Sequence, residues 1–250
     1  CGDGQCSNAY FWPSQCPAHQ DLGNNTLYIN YTDEKCERAA SLLDQLMSAG
    51  SIMPMKGPFS AEFIEKAQKN EVLMFIGASW YGQHVFGGQP DSLYYQTSEQ
   101  QLGVALSPKW EGETTAWTGA QGGAAWAISR HTKNPELAVR LITWLATAPE
   151  YLGEKGTTQP AFAANAAIWG AALATDPLYA FDPWPVMQEA GGLVDPLWNE
   201  PIRSGGGRGM WEIVPEGFLE GKTLVELLPV IQEDAVADAE SAAYLVVTEK

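Results

Sequence analysis

Four cysteines, Cys1, Cys6, Cys16 and Cys36, fall within the first 36 residues, and the following 214 have none. An even number crowded into one Gly-, Pro- and Asn-rich stretch predicts disulfides and hence an exported protein. Three pairings are possible and the spacing does not choose among them. The rival is a zinc site, but C-x4-C-x9-C-x19-C lacks the paired C-x2-C knuckles of structural zinc. Cross-links here would tie a loop-rich entry to whatever follows it. The sequons at Asn24 and Asn30 carry no weight, because chance sequons are common.

Helical periodicity starts directly afterwards. Thr32 or Asp33 caps a predicted helix to Ala49 with apolar positions Ala39, Leu42, Leu43 and Leu46, and Gly50 supplies its left-handed stop. Ser60 caps a shorter helix through Phe63, Ile64 and Ala67. Val72 to Ile76 reads as a buried strand leading into Trp80-Tyr81. Leu102 to Leu106 and Gly122 to Ser129 read as two more strands. Asn134-Pro135 places a cap before a proline at the first helical position, and Leu137, Leu141 and Leu145 then repeat on one face. An Ala-rich helix is expected around 162 to 174, and a last helical region from 223 to about 243 with a kink or restart at Pro229. The order implies an α/β or α+β exported protein.

At 250 residues the chain is long enough for one large domain or two modest ones. A net charge of −16 argues against nucleic acid and anionic membrane, because the field repels phosphate. No run approaches the ~18 apolar residues that span a bilayer. His19, His84 and His131 show no metal spacing, no Gly-x-Ser-x-Gly elbow is present, and the glycines at 205 to 207 and 209 lack the Lys-Ser/Thr of a P-loop. His131 reads as a solvated loop residue. No catalytic residue, metal or cofactor is therefore expected. Aromatics remain. Tyr10, Phe11, Trp12, Trp80, Tyr81, Trp110, Trp117 and Trp211 sit in loops or at element ends, whereas Trp126, Trp144 and Trp169 fall within periodic segments and are assigned to the core. Loop aromatics on an acidic exported chain suit carbohydrate, whose C–H faces stack on indole.

Segments in a recognisable order carry a resemblance. "AYFWPSQC", "EKCERAASLLDQLMSAGSI", "AEFIEKAQKNEVLMFIGASWYG", "GGAAWAISRHTKNPELAVRLITWLATAPE" and "GMWEIVPEGFLEGKTLVELLPVIQEDA" together resemble the solute-binding proteins of ABC importers, in the carbohydrate-binding group typified by maltose-binding protein. The resemblance implies a type II periplasmic-binding-protein-like α/β fold. The chain would be one incomplete unit over 1–250, mainly the C-terminal lobe, with about 102–150 forming a crossover that belongs to or borders the N-terminal lobe. It implies a monomer, periplasmic or cell-surface, that captures a sugar or oligosaccharide in an aromatic-lined cleft between lobes and hands it to an ABC permease. Tyr10, Phe11, Trp12, Trp80, Tyr81, Trp117 and Trp211 would be ligand contacts, Gly122 and Gly123 would let backbone approach, and Arg208 would bond hydroxyls. In that family the acylated cysteine precedes the portion missing here, so Cys1 is not expected to be a lipoprotein cysteine. Two other readings are a ligand-sensing module of a receptor and a secreted carbohydrate-active enzyme. A chain lacking half the contacts should bind sugar weakly, in the millimolar range or not detectably.

Overall fold

The computed structural model describes residues 7–52, 60–87, 101–120, 126–154, 163–195 and 209–248. In chain order the helices are α1 (Glu34–Ser48), α2 (Ala61–Gln68), α3 (Pro135–Thr147), α4 (Pro149–Glu154), α5 (Ala163–Ala174), α6 (Trp184–Gly192), α7 (Met210–Leu219) and α8 (Leu224–Ser241). Strands β1 (Gln20–Gly23), β2 (Thr26–Tyr28) and β3 (Leu245–Val247) form one small sheet, and wide single turns occupy Ser7–Phe11 and Gly82–Phe86. The protein is thus a mixed α/β chain. It divides into two compact units, the first comprising 1–77, 106–120 and 190–250, the second 78–105 and 121–189.

The first unit grows around α8. Leu224, Leu227, Leu228 and Ile231 repeat at helical spacing, are buried, and pack with Phe11, Leu27 and other residues into one core. Pro229 is exposed on the outer side and α8 runs through it as one helix, so the expected restart does not occur. α1 lays Cys36, Ala39, Ala40 and Leu43 onto this core.

The sheet corrects the expectation of a loop-rich entry. β1 and β2 are antiparallel around Asn24-Asn25, whose φ angles of 51° and 60° suit the left-handed residues of a tight hairpin turn. β3 joins β2 in parallel, pairing Thr26 with Leu245 and Tyr28 with Val247. Asn25 holds that junction, its side-chain amide donating to the Ala243 carbonyl and its own carbonyl accepting from Leu245 N–H. Beyond β2 the Gln232 amide takes over from the ladder, donating to Ile29 C=O at 2.9 Å and accepting from Tyr31 N–H at 2.6 Å. A disulfide joins Cys16 to Cys36, which fits an exported protein. Cys1 and Cys6 lie outside the described residues.

The second unit has its own core of Trp169, Leu173, Leu178 and Tyr179. Trp169 meets Trp184 edge to face at 5.6 Å, and a Cβ at Gly170 would lie 2.5 Å from the Trp184 indole, so only glycine admits that ring. Trp169 is the core residue its helical period implies. Trp126 and Trp144 are not, being 58% and 44% exposed. α3 forms behind Pro135 as expected, but Leu137 and Leu141 also face solvent. Neither is there a buried strand at Val72–Ile76. Leu73 and Met74 are 92% and 82% exposed, and no described strand pairs with the run. Leu102 makes only an isolated parallel bridge to Tyr179, and residues 126 to 129 pair with no described strand. An apolar run becomes a strand only where a partner takes its hydrogen bonds. Among the described residues no helix is long and apolar enough to cross a membrane.

Candidate functional site

The two stripes of α1 divide its labour. While Cys36, Ala39, Ala40 and Leu43 face the core, the residues on the neighbouring side line a shallow groove of about 510 Å³ together with Trp110. Glu34, Glu37, Arg38, Ser41 and Gln45 recur at intervals of three or four, so one helical face presents carboxylates, guanidinium, hydroxyl and amide side by side. The opposing indole arrives on an irregular segment that turns sharply. Glu113 N–H donates to Trp110 C=O at 3.1 Å, and Gly112 in the third position has φ +81°, the left-handed conformation a glycine adopts without strain.

Arg38 is the electrostatic centre of this groove. Its Nη1–H donates to Glu113 Oε1 at 2.7 Å, and its guanidinium carbon lies 4.5 Å from the centre of the Trp110 ring. Nε–H and Nη2–H donate to the Ser14 hydroxyl and carbonyl at 2.7 and 2.6 Å. The other Glu113 oxygen, Oε2, is buried with no hydrogen-bond partner among the described residues. The groove offers a flat apolar wall, several donors and acceptors, and access from solvent. That suits reversible binding of a polar molecule with apolar faces. No group of His, Cys, Asp and Glu among the described residues is arranged to hold a metal ion.

The residues anticipated as ligand contacts have varied fates. Phe11 is wholly buried in the first core, correcting its assignment to a ligand surface: the wide turn Ser7–Phe11 points it at Tyr31, ring centres 6.2 Å apart. Its neighbours Tyr10 and Trp12 are half-buried and rest on the same core as Trp110, with Trp12 Nε1–H donating to Asp195 C=O at 3.0 Å. Trp117 is half-buried in the first unit. In the second unit Trp80 is half-buried and stands edge-on to Tyr81 at 4.3 Å, while Tyr81 is only 3% exposed and belongs to the interior. Trp211 falls in α7, its side chain outside the description, and Gly122, Gly123 and Arg208 lie outside the described residues. His131 is the exposed loop residue expected, beside Arg130. His19, by contrast, is buried.

Sequence reasoning named Trp110 among the loop aromatics but not as a contact, and missed Glu34, Glu37, Arg38, Ser41 and Gln45. The available signal was the second stripe of α1, polar at helical spacing. No protein-family model matches the chain, and no curated protein matches it.

Proposed function

We propose that the protein captures a small polyhydroxy solute, a sugar or oligosaccharide, without altering it, and delivers it to a membrane permease. The observation that carries this reading is the Trp110 indole walling an open groove whose facing helix presents Ser41, Gln45, Glu34 and Glu37. Sugar rings combine a C–H face, which an indole receives, with hydroxyls that pair with amides, hydroxyls and carboxylates. Delivery to a permease, and the two-lobed type II solute-binding fold, rest on the sequence resemblance. The division of the chain into two compact units and the small mixed sheet are compatible with that fold. The disulfide fits export.

A groove with a single aromatic wall holds its ligand weakly, so the test is a thermal-shift screen of mono- and oligosaccharides at millimolar concentration, followed by calorimetry. A ligand that prefers the folded state raises the melting point. Trp110→Ala should weaken binding by ~1–3 kcal/mol, as removal of an aromatic anchor does. A loss that follows Trp80→Ala instead would move the site to the second unit. Saccharide binding that neither variant weakens overturns the reading.

A further inference from the structure

We infer that Arg38 is the positioning residue of this groove: it fixes the Trp110 indole as the ligand's wall and does not itself supply the ligand's hydrogen bonds. The inference rests on the reading of the groove as a solute site. Trp110 and Glu113 are the first and last residues of a single tight turn, and Arg38 grips both, one through the ring face and the other through its carboxylate. A turn held at both feet by one planar cation has little freedom to swing its indole away. The cation is fixed from behind as well. Ser14, fully buried, accepts from Nε and Nη2, and its own hydroxyl donates to Lys35 C=O at 2.6 Å.

Three of the five guanidinium N–H groups, one on each nitrogen, already serve acceptors within the protein and hold the plane of the cation fixed against Trp110. Covalent structure reinforces the arrangement. Ser14 lies two residues before Cys16 and Arg38 two residues after Cys36, so the Cys16–Cys36 bridge ties together the two segments that meet at the guanidinium. The planar fork is what the geometry uses. A lysine ammonium would keep the charge above the indole but could not span Ser14 and Glu113 in one plane.

The experiment uses the full chain and the variants Arg38→Gln, Arg38→Lys, Trp110→Ala and Arg38→Gln/Trp110→Ala, with maltotriose as probe. Near-ultraviolet circular dichroism of wild type minus Trp110→Ala isolates the signal of the ordered Trp110 indole. Arg38→Gln should abolish that component while far-ultraviolet spectra stay unchanged, and should weaken maltotriose roughly tenfold, with partial recovery in Arg38→Lys. In the Trp110→Ala background Arg38→Gln should add nothing, because the residue acts through the indole. Additive losses would make Arg38 a direct ligand contact and overturn the inference. So would an unchanged Trp110 signal in Arg38→Gln. The spectral difference needs no ligand, so it decides the positioning role even if maltotriose binds none of the proteins, a result that would count against the solute-site reading alone.

Discussion

His19 shows how far one side chain's environment sets a property that its identity does not. The ring is 8% exposed and stands edge-on to Tyr31 at 5.7 Å, with Nδ1 lacking any partner among the described residues. Burial drives its pKa down to about 4, against the opposing pull of Asp238. Between that value and the ~6.5 of an exposed histidine, the unfolded chain binds a proton that the folded chain refuses. Stability therefore falls as pH drops through this window, by about 3 kcal/mol in all from this group, and is insensitive to it above the window. Denaturant titrations at pH 7 and pH 4 should show a smaller loss in His19→Gln than in wild type. The carboxylates contribute to both proteins alike, so the difference reports His19. An equal loss in the two proteins would show that the ring does not carry the effect. In the sequence His19 was simply a histidine without metal spacing, because burial arises from contacts with distant residues.

At the scale of elements, most of the punctuation is local. α1, α2, α7 and α8 end alike: the residue past the cap has positive φ (Gly50, Asn70, Gly221 and Ala243), and two backbone N–H groups fold back on the last turn. Gly50 as a stop, Ser60 as a cap and Pro135 as a first residue are readable because each acts within four residues of itself. The start of α8 is different. Thr223 and Glu226 form a reciprocal capping box, while the Asp44 carboxylate accepts from Leu224 and Val225 N–H at 2.7 and 3.1 Å. Asp44 also places negative charge at the positive end of the helix. Thr223→Ala should cost about 1 kcal/mol and Asp44→Ala about 1–2 kcal/mol, measured by denaturant unfolding. Their sum should not be additive, since both serve one helix end. A fully additive double variant would argue against shared capping.

On the scale of the molecule, the Cys16–Cys36 bridge closes a loop across the first unit, with a sequence separation of 20. Replacing both cysteines with serine should lower stability by about 3 kcal/mol, the cost of releasing a loop of that length in the unfolded chain. A melting point within a degree of wild type would show the bridge to be dispensable. Here the limits of one-dimensional reading are clearest. What the residues determined by themselves is what acts over one or two turns: the positions of α1, α2, α3, α5 and α8, the local signals at Asp33, Gly50, Ser60 and Pro135, and a cysteine-rich entry able to form a disulfide. The apolar runs at Val72–Ile76 and along α3 show the limit of that reading, since apolarity states a demand for burial but not which partner will meet it. Only the tertiary structure decided which cysteines pair, that β3 would complete a sheet begun more than 200 residues earlier, and that Trp110 would face α1. Those outcomes depend on surfaces from distant parts of the chain coming into register, and no local propensity encodes where a distant surface will lie.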